Sequence, residues 1–409
     1  MTAHTTRRRR VVVTGLGTVA ATGWGVPALH TALCAGSTAI GDFDSFDHTA
    51  QRTHVAGQVP PCPDVVRRRY PQWARLANSD RFALFAADEA LEQAALNLDP
   101  DCTGVFFGSS TAGLIETERY FAELVRDPSS HPRRALLVSH LVGAPAETVA
   151  RHLGLTGPVE TVSSACASGG LAIEQALRAL RSGEVDVVIA GGADCLCMTT
   201  YSGFNSLRAV DANPCRPFRA DRAGLSLGEG GAALVLETLE HATARGAQPL
   251  AELLGAGSTC DAHHMTAPQA LGEWSGVALQ RALEDSGLNA DDIHFANVHG
   301  TGTPLNDAAE AAALKRAFAG RSLPLTATKG VIGHLLGAAG AVAAVATVLG
   351  LIDRAVYPTP GGGDPDPALS VDLVLNESRS VPSMRAGVST SFGFGGSNAA
   401  VILGRWDAQ

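Results

Sequence analysis

Two stretches of the chain, 158–180 and 323–349, follow one pattern of residues, and this repeat limits the folds open to the sequence. Each begins with a short apolar strand, passes through a corner of small residues and continues into a long helical run. Each half of the chain also opens with an apolar strand that ends in glycine, at 11–17 and 251–257. The repeat predicts a duplicated α/β unit in which a pseudo-twofold axis brings the two corners together.

Strand-like and helix-like runs alternate throughout, which is typical of the α/β class. We expect an N-terminal half over residues 11–250 and a C-terminal half over 251–405. No low-complexity linker separates them, and the two halves are expected to share one core. Buried strands that end in glycine are also expected at 185–192 and 386–393. Helical patterns span 80–97, 171–182, 273–286 and 307–319.

The composition excludes several classes of protein. With 45% hydrophobic residues, the 409-residue chain can bury a large core, and its net charge of −9 argues against a nucleic-acid binder. Its eight cysteines include no CxxC pair, so reduced thiols and a cytoplasmic location are expected. The uncharged run Leu335–Ile352 is long enough to span a bilayer, but it is rich in Ala, Gly and Val and has no counterpart. It therefore predicts a helix buried in the core, with no membrane association.

Cys166 lies in the corner SSACASGG, between a strand at 159–162 and a helical run from Leu171. Free backbone N–H groups and the helix dipole stabilise a thiolate at a helix N-terminus, so we expect a lowered pKa for this thiol. Small neighbours leave room for a substrate, and the N–H groups of the corner can receive an oxyanion. The sequence thus predicts a nucleophile, with an ordinary buried cysteine as the alternative.

Two histidines complete the candidate site. His299, in NVHGTGTPLND, follows a strand-like run and precedes a Gly/Pro turn, which exposes an imidazole unless the residue is structural. His334 lies beside the second corner, which the repeat places opposite Cys166. A thiol with two imidazoles suits acyl transfer followed by a step that needs two N–H donors. The chain contains no HxxxH or CxxC, so no metal site is predicted.

Two glycine-rich segments imitate nucleotide-binding loops. VVVTGLGTVAATG has the outline of a dinucleotide motif, but Gly23 and Pro27 interrupt the helix that should follow, so we expect a tight turn at the strand end and no bound cofactor. In SFGFGGSNAAVIL, no lysine or helix start follows the glycines. Packing or gating by Phe392 and Phe394 is the better interpretation.

In combination, SSACASGG, HGTGTPLND, TKGVIGHLLGAAG and FGFGGSN resemble the motifs of the β-ketoacyl-acyl-carrier-protein synthases, the condensing enzymes of fatty acid and polyketide synthesis. RPFRADRAGLSLGEG fits as well, and the resemblance covers nearly the whole chain. It implies a thiolase-like fold whose two α/β halves form five layers, αβαβα. A site with two histidines, rather than one histidine and one asparagine, resembles that of the elongating enzymes more than that of the initiating ones. Cys166 argues against a chain-length factor, which lacks this thiol.

The resemblance also implies a reaction. Cys166 would take the acyl chain from its carrier as a thioester, and His299 and His334 would assist decarboxylation of malonyl-carrier and stabilise the enolate. That carbanion would attack the acyl thioester and give the β-ketoacyl product. The backbone N–H groups of Cys166 and Phe394 would hold the oxyanion. Decarboxylation generates the carbon nucleophile, so the resemblance implies no metal or other cofactor.

The remaining site residues are likewise implied by the resemblance. Lys329 and Glu310 would organise the histidines through hydrogen bonds and charge. Phe394 would gate the acyl pocket, Phe204 would line it, and Thr111 would lie near its floor, where a larger apolar residue is common. The short segment RAVDANPCR, together with GFNSL, is similar to synthases of polyene-type pathways.

The implied partners are an acyl carrier protein and a second ketosynthase-like chain, in a homodimer or a heterodimer. Because the carrier is acidic, Arg67–Arg69 and Arg133-Arg134 are candidate docking residues. A thiolase-type acyltransferase is an alternative, but it would want a second catalytic cysteine, and none follows Cys260. A silent partner subunit is a second alternative to the active enzyme, and a nicotinamide-dependent oxidoreductase is a distant third.

Overall fold

The structure is a computed structural model that describes residues 8–407. Over this range the chain forms sixteen strands and twelve α-helices. The strands are β1 (Val11–Ala20), β2 (Gly23–Trp24), β3 (Gly41–Asp42), β4 (Val55–Ala56), β5 (Thr103–Gly108), β6 (Val159–Val162), β7 (Val187–Asp194), β8 (Gly230–Thr238), β9 (Ala251–Cys260), β10 (Ile293–Asn297), β11 (Pro324–Thr326), β12 (Ala355–Val356), β13 (Asp372–Leu373), β14 (Arg379–Ser380), β15 (Ala386–Phe392) and β16 (Ser397–Arg405). The helices are α1 (Val26–Ala35), α2 (Asp64–Arg67), α3 (Asn78–Ala94), α4 (Leu114–Arg126), α5 (Ala144–Leu153), α6 (Ser168–Ser182), α7 (Met198–Ser206), α8 (Leu239–Ala244), α9 (Glu273–Ser286), α10 (Pro304–Ala317), α11 (Lys329–Ile332) and α12 (Ala339–Asp353).

One strand order occurs twice. In the first half of the main sheet the strands lie in the order β6-β5-β7-β8-β1, and in the second half β11-β10-β15-β16-β9. If the five strands of each set are numbered by their position in the chain, their order across the sheet is third, second, fourth, fifth, first. In both sets the fifth strand is antiparallel to its two neighbours. The two sets meet where β1 pairs antiparallel with β9. The predicted duplication of an α/β unit is confirmed.

Helices separate and cover the two sets of strands. α6 and α12 pack against each other, and each contacts strands of both sets. The outer face of the first set is covered by α3 and α5, and that of the second by α9, which in turn packs on α10. The layers therefore follow the expected order αβαβα, the thiolase-like arrangement.

The two central helices approach closely because small residues face each other. A Cβ atom on Gly340 of α12 would lie 2.4 Å from the backbone nitrogen of Gly170 of α6. Within residues 8–407, the segment Leu336–Asp353 is the one helix long and apolar enough to cross a membrane, yet 89% of it is buried in the protein. It is the core helix that the sequence predicted.

A tight turn follows β1 at residues 21–22, but the strand does not end at Gly17 as the sequence predicted. β1 continues through Ala20, so Gly15 and Gly17 lie inside the strand. A Cβ atom at Gly17 would lie 1.9 Å from the carbonyl oxygen of Ala86, in α3. The glycines therefore let a helix pack directly on the strand, a tertiary contact that the local sequence does not reveal.

Candidate active site

Cys166 lies at the corner between β6 and α6. The preceding residue, Ala165, has a φ of 47°, a left-handed conformation that is uncommon for a residue with a side chain. Two hydroxyl groups hold this conformation: Ser168 and Ser110 each donate a hydrogen bond to the Ala165 carbonyl oxygen, at 2.5 and 2.9 Å. These two hydrogen bonds therefore stabilise the strained backbone at Ala165, and this conformation sets the orientation of the Cys166 side chain.

Burial decides the ionisation of the Cys166 thiol. Only 6% of Cys166 is exposed, and this burial raises the pKa of its thiol to about 11. The charge of Lys329 and the backbone N–H groups of Phe394 and Cys166 oppose the rise without cancelling it. The prediction of a lowered pKa was wrong, because the helix N-terminus does not compensate for the loss of water. At neutral pH the thiol keeps its proton.

His334 occupies the matching corner of the second half, just after α11. Its Nδ1 accepts a hydrogen bond from the backbone N–H of Leu336, at 3.2 Å. The neutral ring must then carry its proton on Nε2, so His334 presents a hydrogen-bond donor. Burial, followed by the charge of Lys329, holds the pKa of His334 well below 6.5, which keeps the ring neutral.

His299 follows β10, and a carboxylate anchors its backbone. The N–H groups of His299 and Gly300 donate to the two oxygens of Glu310, each at 2.8 Å, and Thr390 Oγ1 donates to Glu310 at 2.6 Å. The ring of His299 lies 5.3 Å from that of His334, centroid to centroid, at an interplanar angle of 84°. Glu310 thus positions the loop that carries His299 rather than the imidazole itself.

The charges around the two imidazoles favour their neutral forms. Burial, the charge of Lys329 and His334 together hold the pKa of His299 well below 6.5. Burial also lowers the pKa of Lys329 to about 8, although Glu310 opposes this. Within the described part of the chain, Nδ1 of His299 is buried and has no hydrogen-bond partner. No described hydrogen bond to Nδ1 therefore selects the tautomer of His299.

A cavity of about 280 Å³ is lined by Cys166 and by both histidines, His299 and His334. At its side, the rings of Phe204 and Phe394 stack with centroids 5.3 Å apart. Of the predicted site residues, the structure brings these into the lining: Cys166, Phe204, His299, His334, Phe392 and Phe394.

Three predicted residues do not line this cavity. Lys329 and Glu310 are buried behind the histidines, and they act on them through charge and backbone contacts. Thr111 donates its backbone N–H to Asp194 at 2.9 Å. A role for Thr111 in the acyl pocket stays a prediction.

Sequence reasoning missed two buried carboxylates that hold the loops of the site. Asp194, the last residue of β7, accepts backbone N–H groups from the loop 110–112 and, at 2.6 Å, from Gly337 in the other half. Asp307 accepts the N–H groups of Phe218 and Gly302 at 2.8 and 3.2 Å, and burial raises its pKa to about 6. An acid at the end of a fully apolar strand, GGAD, was the available signal for Asp194.

The duplicated five-layer fold defines a thiolase-like enzyme, and comparison with known proteins narrows the class. Profiles for the N-terminal and C-terminal domains of β-ketoacyl synthase match residues 8–242 and 250–362. A curated relative from Vibrio cholerae, 3-oxoacyl-[acyl-carrier-protein] synthase 2, is 35% identical, covering 97% of this chain and 99% of its own. The chain belongs to the β-ketoacyl synthase family and is an acyltransferase of the ketosynthase type.

Solved structures of similar proteins agree with this assignment. The structure titled the ishigamide ketosynthase/chain length factor aligns with a TM-score of 0.93 at 32% identity, covering 98% of this chain and all of the other. A type II polyketide ketosynthase bound to its acyl carrier protein and a hexaketide, AntDE:AntF, aligns with a TM-score of 0.88 at 28% identity, with coverage of 98% and 100%.

Proposed function

We propose that this chain joins an acyl group on Cys166 to malonyl-acyl-carrier protein, with loss of CO₂, and gives a β-ketoacyl product in fatty acid or type II polyketide biosynthesis. One observation carries the proposal: a single cavity exposes the Cys166 sulfur, the His334 ring and the His299 ring. A nucleophile and two neutral imidazoles are the groups that acylation and decarboxylative condensation require.

Acylation begins with a protonated thiol, so its proton must leave as the sulfur attacks. His334 donates from Nε2, because its Nδ1 is engaged by a backbone N–H. His299 has no described partner at Nδ1 and is neutral, so we assign it to receive the proton of Cys166. The sulfur then attacks the thioester carbonyl of the acyl-carrier, and the carrier sulfur leaves with the proton as a free thiol.

The oxyanion of this step forms beside the cysteine. The backbone N–H groups of Phe394 and Cys166 lower the pKa of the thiol in the free site, so they lie close to the sulfur. Once the sulfur is acylated, the same donors face the carbonyl oxygen of the new thioester, where negative charge develops during attack. Gly393 brings the Phe394 donor close, since a Cβ atom there would lie 3.2 Å from the Cys166 nitrogen.

Condensation uses the imidazoles as hydrogen-bond donors. The carbon–carboxylate bond of the malonyl group breaks, CO₂ leaves, and the electron pair becomes an enolate. The enolate oxygen accepts one hydrogen bond from Nε2 of His334 and a second from His299. The enolate carbon attacks the acyl carbonyl, the bond from that carbon to the Cys166 sulfur breaks, and the thiolate takes up one proton from water. Glu310 serves this step as a positioning residue, because it fixes the backbone of His299.

Intact-mass spectrometry of the purified chain tests the nucleophile. Incubation with acyl-carrier should add one acyl mass to the wild type and none to Cys166→Ala. His334→Ala should still acquire that mass, because His334 acts after acylation. Equal labelling of wild type and Cys166→Ala, or labelling of neither, would refute the assignment.

We also propose an acyl carrier protein and a second ketosynthase-like chain as partners. Arg68, Arg133 and Arg134 are exposed, as an acidic carrier would need, whereas Arg67 and Arg69 pair with Asp64 and Glu92. β6 lies at the free edge of the main sheet, a position that favours pairing with another chain.

Two alternatives to an active homodimer are a heterodimer in which this chain is the active subunit and a role as a silent subunit. A heterodimer with a chain-length-factor-like partner is supported by the similar structure that carries this title. A silent subunit is disfavoured by Cys166 and by the two imidazoles beside it. We further propose that the two structural units divide at 250 and 251, close to the gap between the matched profiles, and that the enzyme acts in the cytoplasm.

A further inference from the structure

A second group of metal-ligating side chains lies outside the catalytic cavity. His30 and Cys34 are on α1, and Asp353 is the last residue of α12. One ligand atom of each residue lies within 4.8 Å of the others. None of the three lines the cavity that holds Cys166, so this cluster needs a separate explanation.

The helix geometry places two of these ligands side by side. Residues four apart lie on the same face of an α-helix, so the His30 imidazole and the Cys34 thiol project in one direction. α1 packs against α12, and this packing brings the Asp353 carboxylate to them, with Oδ2 at 2.6 Å from His30 Nε2. All three side chains reach solvent, which gives an ion a path of entry.

The carboxylate is oriented from the protein side. Tyr357 is buried and donates its hydroxyl to Asp353 Oδ2 at 2.8 Å, as an outer partner of a metal-binding carboxylate does. The other carboxylate oxygen, Oδ1, makes no hydrogen bond with the described residues and can turn toward the thiol. The ligands of a tetrahedral zinc ion lie roughly 3.3–3.7 Å apart, so small side-chain rotations suffice to enclose an ion.

We propose that His30, Cys34 and Asp353 bind a thiophilic divalent cation, with Zn²⁺ as the best fit. A thiolate with an imidazole selects zinc over the hard cations magnesium and calcium, which prefer oxygen alone. The sequence predicted no metal site because HxxxH and CxxC were the patterns considered, whereas this set is His-x₃-Cys completed by a residue 319 positions later. Water completes the fourth position.

The site joins the two halves of the fold. α1 belongs to the first half, and α12 is the central helix of the second. An ion bound only in the folded state stabilises that state by mass action, so it should raise the unfolding temperature. The ion is thus expected to stabilise the fold, and its binding does not depend on the proposed condensation.

Cobalt titration tests the site, with Co²⁺ as the probe because a bound thiolate gives a charge-transfer absorption band. The Cys166→Ala chain serves as the background, since Cys166 faces two imidazoles and offers a competing thiol. In this background we expect one Co²⁺ per chain with the thiolate band. Cys34→Ser should abolish the band, and Asp353→Asn should weaken Co²⁺ affinity by roughly tenfold or more.

Cys102→Ser is the matched control, because Cys102 is also an exposed thiol beside a carboxylate, that of Asp99. It should keep the Co²⁺ band. Zn²⁺ should raise the unfolding temperature of the background and of Cys102→Ser, but not that of Cys34→Ser. The proposal is overturned if the background shows no thiolate band, or if Cys34→Ser retains it at equal amplitude.

Discussion

Lys329 influences the ionisation of Cys166, His299 and His334, which all line the same cavity. Its positive charge lowers the pKa of Cys166 and also holds down those of His299 and His334. One buried cation thus favours both the thiolate and the neutral imidazoles that the proposed reaction would use. Because the pKa of Lys329 itself is about 8, this support weakens as the pH rises through that value.

The raised pKa of Cys166 predicts how the free enzyme reacts with iodoacetamide. Only the thiolate is alkylated, so the rate at Cys166 should rise about tenfold per pH unit from neutral pH toward 11. At pH 7, Lys329→Met should slow alkylation further, because it removes a charge that lowers the thiol pKa. Peptide mass spectrometry at Cys166 measures both rates. A rate that levels off near pH 7 would contradict the burial argument.

The fixed tautomer of His334 predicts which substitution preserves function. An asparagine side chain retains an N–H donor, whereas alanine has none. We therefore expect His334→Ala to lose about 10²–10⁴-fold in CO₂ release from malonyl-carrier, and His334→Asn to retain a measurable part of it. Acylation of Cys166 by acyl-carrier is the control and should persist in both. Equal loss in the two variants would show that donation is not what His334 supplies.

At the scale of elements, close backbone approach explains many of the glycines and small residues. Helix α3 packs on β1 at Gly15 and Gly17, and α12 approaches α6 at Gly340, because these residues have no side chain. Side chains at these positions would separate the layers that position the two corners of the site.

Gly17→Ala should therefore destabilise the fold. Its Cβ atom meets the Ala86 carbonyl oxygen at 1.9 Å, so β1 and α3 must separate, at a cost of about 1–3 kcal/mol. Gly203→Ala in α7 is the control, because no atom lies within 4 Å of the added methyl group. That change should be neutral or stabilise by about 0.4–1 kcal/mol. Urea unfolding gives both values; similar stabilities for the two variants would argue against the packing role.

The local sequence pattern was enough to predict an element whose structure is determined by its own residues. The apolar periodicity predicted α9 at its observed bounds, and the repeat predicted that the α/β unit is duplicated. It failed where a distant segment decides the outcome. The glycines of β1 serve α3, some 70 residues away, and the pKa of Cys166 reflects burial by both halves of the chain. Asp194 escaped notice because its partner Gly337 lies in the other half.

At the scale of the molecule, the first half leaves an open edge. β6 ends the sheet, and Val159 on it is 39% exposed, with Val138 and Leu141 also exposed in the same half. An edge strand with exposed apolar side chains favours pairing with another chain.

Val159→Glu should weaken that association, because it replaces an exposed apolar side chain of the edge strand with a charge that would lose water when the strand is covered. We expect a lower mass by size-exclusion chromatography with light scattering, measured alone and with a candidate partner chain. Val65→Glu, at a position 74% exposed in α2, should leave the mass unchanged. An unaltered mass for Val159→Glu would remove β6 from the interface.

Condensation at Cys166 is the central claim, and one reaction tests it most directly. Acyl-carrier and malonyl-carrier labelled at the free carboxyl group are incubated with the enzyme, and labelled CO₂ and β-ketoacyl-carrier are quantified together. We expect equal amounts of both with wild type and no β-ketoacyl product with Cys166→Ala. A β-ketoacyl product from Cys166→Ala, or CO₂ from wild type without that product, would contradict the central claim.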